Sequence, residues 1–177
     1  MARKLANRAS ARVLDGFFRS LSALGGAVPS ADPARHGVER SGPLSFGPHG
    51  DDNLLDIYRP IERAEKLPVV LYIHGGGFRA LSKDSHWLMG LAFARRGYLV
   101  FNINYRLGPE HPYPAAIEDA CAAWLWAQQN AAQYGGDPST MILAGESAGA
   151  NLAMALTIAC CYERPEHWAR EVYDAGV

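Results

Sequence analysis

Hydrophobic positions fall into short uninterrupted runs separated by segments of helical period. Val69-Val70-Leu71-Tyr72-Ile73, entered through Pro68, is apolar on consecutive residues. That is the pattern of a strand covered on both faces. Leu99 to Asn104 has the same character, and Met141-Ile142-Leu143-Ala144 is a third such run. Leu54 to Tyr58 predicts another strand, ending at Pro60, and Leu44-Ser45-Phe46 a short one within a Gly-, Pro-, Ser- and His-rich connection over residues 25–50. Between the runs the period changes. Leu88, Leu91, Ala92 and Arg95 recur in steps of three and four until Gly97 stops them. A longer helix is predicted from about Ala115 to Ala131, with Ile117, Cys121, Trp124 and Leu125 on one side and Tyr134-Gly135-Gly136-Asp137-Pro138 as its break. Ala148 to about Tyr162 and Pro165 to Ala175 read as the last helices.

Strands alternating with helices predict an α/β fold, a mostly parallel sheet with helices on both faces. The pattern closes on a helix with no strand after it, so the sheet is expected to be incomplete at its C-terminal side. Two regions are predicted. Residues 1–40 hold an amphipathic helix and a connection, and residues 41–177 hold the sheet. The helix, over about residues 5–24, sets Leu14, Phe17, Phe18 and Leu21 on one face among Arg3, Lys4, Arg8, Arg12 and Arg19. It is expected to pack on the body of the protein rather than to insert stably in a membrane.

The bulk numbers change this picture little. A chain of 177 residues with 49% hydrophobic and 20% charged residues is ordinary for a soluble globular domain. A net charge of -1 offers no general attraction to nucleic acid. Three cysteines, Cys121, Cys160 and Cys161, lack metal or redox spacing and are expected to be free core thiols in a reducing cytoplasm. The spacing holds no His-Glu-x-x-His and no phosphate-binding loop, so neither metal nor cofactor is expected.

Two motifs carry chemistry. Gly145-Glu146-Ser147-Ala148-Gly149 lies between a buried strand and an alanine-rich helix. There a Gly-x-Ser-x-Gly turn exposes its serine in a strained elbow, with glycines where side chains would collide. The helix N-terminus that follows favours developing negative charge. His74-Gly75-Gly76-Gly77 closes the run Val69 to Ile73. Its glycines let backbone N–H groups approach a substrate carbonyl. Ser147 is therefore the candidate nucleophile, the amides of Gly76, Gly77 and Ala148 the candidate oxyanion donors, and His74 with Gly75 the support of the loop.

These motifs, with Asn104-Tyr105-Arg106-Leu107, Gly108 to Ala116, Glu118-Asp119, Gly135 to Pro138 and Asn151-Leu152-Ala153, resemble the hormone-sensitive-lipase family of α/β-hydrolases over roughly residues 54–160. The resemblance implies carboxylesterase activity on a small-molecule ester, an eight-stranded sheet and a helical cap built partly from the N-terminus. Glu146 stands where the family often has Asp. The family's triad acid and histidine lie well downstream of the serine, and this chain contains neither segment. The family's sheet order sets Met141 to Ala144 between the strand carrying His74 and a later strand, so the resemblance implies that this run lies at an edge here, without charge or proline to guard it, and that Leu152, Leu156 and Ile158 lose part of their cover. The resemblance gives His111 a structural role. His36, His49, His86 and His167 are placed poorly for a base, and Glu118 and Asp119 are expected to cap a helix start. The chain alone is thus expected to be inactive. The alternatives are an arylformamidase-type amidase, to which Ser82-Lys83-Asp84 is also similar, and a non-catalytic ligand-binding relative.

Overall fold

The computed structural model describes residues 28–62 and 66–176, together with Gly16 and Ser20. The predicted helix at 5–24 lies outside the described residues but for those two. Five strands form one sheet: β1 (Val38–Ser45), β2 (Leu54–Pro60), β3 (Leu67–Ile73), β4 (Leu99–Ile103) and β5 (Gly136–Gly145). Among the continuously described residues four α-helices accompany them: α1 (Trp87–Ala94), α2 (Ala115–Asn130), α3 (Ala148–Cys161) and α4 (His167–Ala175).

The spatial order is β1-β2-β4-β3-β5. β3 runs parallel to β4 and to β5, whereas β2 is antiparallel to β1 and to β4. The parallel half follows from helical crossovers, and the antiparallel half from the short link between β1 and β2. From β3 the chain steps to one side through α1 into β4, then returns past β3 through α2 into β5. The strand order therefore reverses between β3 and β5. In open α/β sheets a crevice opens at the carboxyl ends of such a strand pair. The two motifs follow these two strands directly.

The consecutive apolar runs are explained by cover on both sides. Val69, Leu71 and Ile73 of β3 join Leu55, Ile57, Phe101 and Ile103 in a core closed by α2, α3 and α4. The intervening Val70 and Tyr72 join Val38, Tyr58 and Val100 under α1. Each fully buried Leu, Ile or Phe contributes about 1.5–3 kcal/mol by leaving water. Gly90 lets α1 approach closely, since a Cβ there would meet the Tyr58 ring.

Two strands are longer than their sequence patterns indicate. β1 begins at Val38 and runs through Gly42-Pro43 with a register shift between Ser41 and Leu44. It also runs through residues 40 and 41, where the two predicted regions are expected to meet. A bulge on an edge strand accommodates both a glycine at φ 121° and a proline. β5 begins at Gly136, because Gly136 and Asp137 already pair with Leu67 and Pro68. The ladder then shifts register before Met141 pairs with Val69. Asp137 holds the excursion by accepting from the Ser139 N–H at 3.0 Å and from the Ser139 hydroxyl at 2.7 Å.

Other expectations are corrected in detail. Leu152 and Leu156 are buried, because α4 packs Ala169 and Val172 into the same core. Ile158, by contrast, is 43% exposed. Cys121 and Cys160 are buried thiols, but Cys161 is exposed. No helix among the described residues is long and apolar enough to cross a membrane.

Among the described residues β5 pairs with β3 alone, and Ile142 on it is 43% exposed. An unguarded apolar edge pairs with other chains. The 177-residue polypeptide is expected to self-associate, with Ile142→Lys shifting it toward monomer. Light scattering across a concentration series checks this; a wild-type monomer at all concentrations would contradict it.

Candidate active site

Ser147 is the N-cap of α3 and sits at φ 50°, ψ -115°, outside the regions that L-residues favour. The turn closes through the Gly149 N–H to Glu146 O at 2.8 Å and the Asn151 N–H to Ser147 O at 3.1 Å. Both flanking glycines are required by contact. A Cβ at 145 would lie 2.6 Å from Gly149 C and 2.8 Å from Ile73 O. A Cβ at 149 would overlap the carbonyls of Ile73 and His74. The elbow is thus pressed onto the end of β3. The Ser147 side chain makes no cap bond and the residue is exposed.

The glycine loop leaves that same strand end. Gly76 and Gly77 have φ of 112° and 62°, values that glycine adopts freely. The Arg79 and Ala80 N–H groups both donate to Gly76 O, at 3.1 and 3.2 Å. A Cβ at 76 would overlap Ala80 O, and one at 75 would lie 2.7 Å from Glu146 Oε1. The Gly75–Glu146 contact brings the glycine loop against the serine elbow. The N–H groups of Gly76, Gly77 and Ala148 donate to no protein acceptor among the described residues. Amides free in this way beside an exposed hydroxyl can stabilise a negative oxygen.

His74 is bonded to the loop and stacked beneath it. It is 1% exposed, its Nδ1–H donates to Gly75 O at 2.6 Å, and it stacks on Tyr105 with ring centroids 4.3 Å apart. The Tyr105 hydroxyl donates to His74 O at 3.0 Å. Burial, and secondarily the neighbouring His86, push the imidazole pKa down to about 3 despite the Gly75 carbonyl bond that raises it. His74 therefore stays neutral across the physiological range.

The remaining histidines are spoken for or remote. His86, the N-cap of α1, has Nε2 2.9 Å from Glu146 Oε1 and Nδ1 2.9 Å from Ser85 Oγ. Both ring nitrogens are engaged away from Ser147. His111 lies 3.9 Å from Asp52, and His167 lies 3.5 Å from Glu171 on α4. The Ser147 hydroxyl hydrogen-bonds no histidine and no carboxylate among the described residues. Nor is any group of three or more His, Cys, Asp or Glu among them placed to hold a metal ion.

Two ionic clamps flank the site, and neither was evident from spacing. Glu118 and Asp119 do not cap their own helix. Asp119 is 2% exposed and accepts from the Arg106 N–H at 2.7 Å and Nε at 2.9 Å, while Glu118 accepts from Arg106 Nη2 at 2.9 Å. This pins the Pro-rich loop to α2. Lys83 is buried, with Nζ 3.1 Å from buried Asp56 and 2.8 Å from Asp84. Arg40 meets the same Asp56 oxygen at 2.8 Å. The Lys83 backbone donates to Asn104 Oδ1 and accepts from Asn102 Nδ2. The return leg of the glycine loop is so fastened to the sheet. The sequence singles out Ser82-Lys83-Asp84, Arg106 and Glu118-Asp119 by resemblance alone, and nothing in their spacing announces these pairings.

Residues 70–169 match the alpha/beta hydrolase fold family. The carboxylesterase NlhH of Mycobacterium tuberculosis is 46% identical over 109 residues, covering 59% of this chain and 34% of NlhH. A bacterial heroin esterase superposes with a TM-score of 0.75 at 30% identity, covering 87% of this chain and 48% of that one. An esterase of Pyrobaculum calidifontis gives 0.68 at 31%, covering 85% and 47%. The match thus spans about a third of this curated relative and about half of each solved esterase.

Two outcomes test this geometry. Gly149→Ala should destabilise the chain by about 1–3 kcal/mol, the usual cost of overpacking, because the new methyl meets backbone rather than a movable side chain. Chemical denaturation measures it, and an unchanged midpoint would refute the contact. His74 has a folded pKa below its unfolded value, so the unfolded state binds the extra proton. Its contribution is full above about pH 6.5 and fades as pH falls toward 3. The loss between pH 7 and pH 4 should be about 3 kcal/mol. Stability–pH curves should be flatter by that amount in His74→Gln, whatever its absolute stability.

Proposed function

The chain belongs to the α/β-hydrolase fold family, and from that premise we propose that it supplies the nucleophile half of a serine hydrolase of carboxylic esters. The observation that carries the reading is the Gly75–Glu146 contact. It sets unengaged amides beside an exposed serine held in a strained elbow. Ser147 Oγ attacks the ester carbonyl carbon, and the oxygen that becomes negative is held by the N–H groups of Gly76, Gly77 and Ala148. Each such donor is worth about 3 kcal/mol in the transition state. The alcohol leaves with a proton, an acyl-enzyme remains on Ser147, and water releases the acid.

The proton is taken and returned by a histidine oriented by a carboxylate, and both are assigned to polypeptide outside the described residues. The engagement of His86 and Glu146 with each other and of Asp119 with Arg106 supports that assignment. Ester hydrolysis is preferred to formamide hydrolysis and to binding without catalysis because the matched relatives are named esterases. A cap is assigned to the N-terminal region ahead of β1, while Val38 to Arg40 belong to the sheet. The three free thiols suit a cytoplasmic setting.

A fluorophosphonate probe applied to a polypeptide carrying the whole hydrolase domain should label Ser147. Ser147→Ala should remove the label and lower turnover of p-nitrophenyl butyrate by at least about 10³-fold. The 177-residue chain alone should show only trace turnover. A label mapped elsewhere by mass spectrometry, or full turnover by the Ser147→Ala variant, would overturn the assignment.

A further inference from the structure

A cavity of about 810 Å³ opens beside the glycine loop, between α2, α3 and the start of α4. Its volume suits a small organic ligand. Ile117, Leu152, Ala155, Ile158 and Trp168 give it apolar walls, and Gly77 and Phe78 bring the glycine loop to its margin. Asn151, one turn beyond Ser147 on α3, also faces it.

The charges lining the cavity do not balance. Arg79, Arg106 and Arg164 face a single carboxylate, Glu166. Arg106 is already matched by Asp119 and Glu118. Arg164 lies 3.6 Å from Glu166, which accounts for that pair. His111 is near Asp52. Arg79 is left over. It is exposed, and its guanidinium has neither ion pair nor hydrogen bond among the described residues. Its backbone N–H is tied to Gly76 O, so the side chain is launched from the turn that presents the glycine amides. A guanidinium there offers a planar fork that fits a carboxylate in bidentate fashion.

We propose that this cavity selects an anionic substrate, an ester whose hydrocarbon part lies on the apolar walls and whose separate carboxylate pairs with Arg79. Calling the ligand an ester rests on the proposed function; the anion site itself does not. Arg79 is then a specificity residue, acting on binding rather than on bond cleavage.

The test uses the 177-residue chain, calorimetry and two isosteric probes, 1-naphthaleneacetate and neutral 1-naphthaleneacetamide. The anion should bind about fivefold more tightly at low salt, the upper range for an exposed charge pair. The preference should shrink at high salt. Arg79→Gln should abolish it while leaving the amide's affinity unchanged, which also reports an intact cavity. Arg79→Lys should keep only part of it, having the charge without the fork, and Ile158→Trp should weaken both probes. Equal affinities in the wild type, binding of neither probe at millimolar concentration, or indifference to Ile158→Trp would overturn the proposal. So would a preference that survives Arg79→Gln, since the glycine-loop amides would then be holding the carboxylate. Ser147→Ala should leave both affinities as they are. Failure of Ser147 labelling with the Arg79 preference intact would sink the ester reading and leave the anion site standing.

Discussion

The architecture of the site depends on how closely backbone can approach the carboxyl end of β3. The carbonyls of Ile73 and His74 form the floor on which α3 begins, and Gly149 is the residue that touches them. In-register pairing of Ile73 with Gly145 brings the ends of β3 and β5 level. The loops that leave those ends then have no choice but to meet. Gly75 receives the Glu146 side chain, and Gly145 clears both α3 and β3. One strand end serves two loops, and glycine is placed where a methyl group would force them apart.

Polar groups around this floor work by staying in one charge state. His74 is kept neutral by burial, so it can serve as a hydrogen-bond donor and a stacking partner for Tyr105 without introducing charge beneath the glycine loop. The charged groups are kept in pairs, Lys83 with Asp56 and Arg106 with Asp119, each linking a loop to the sheet or to α2. Removing the Arg106 guanidinium would leave buried Asp119 without its cation, at about 3–5 kcal/mol. The His86–Glu146 pair differs in that Glu146 is well exposed, so it contributes orientation more than stability.

Much of this was legible in the chain itself. Consecutive apolar residues announced β3 and β4, because alternate side chains enter opposite cores under α1 and under α2 to α4. The motif glycines announced the elbow and the loop, because backbone crowding leaves a local signature. What escaped was non-local. The bulge at Gly42-Pro43 hid most of β1, and the looped excursion after Asp137 hid the start of β5. The pairing of Asp119 with Arg106, rather than with its own helix start, depends on the Pro-rich loop folding back across α2. Arg79 gave no signal at all, since a surface arginine acquires meaning only from the cavity it lines and the partners it lacks.

The strand order also has a consequence for how the molecule is made. Leu71 pairs with Leu143, so 143 − 71 = 72 residues separate the two sides of the β3–β5 ladder. β4, by contrast, pairs with β3 at Leu71–Phe101 over 101 − 71 = 30 residues. At roughly 5–20 residues per second of synthesis, β5 leaves the ribosome on the order of 4–14 s after β3. Throughout that interval the outer edge of β3 waits without its partner, and the elbow does not yet exist to be pressed on it. The elbow is thus assembled on a strand end that was made well before it, and in the meantime the nascent chain carries an unpaired apolar strand edge.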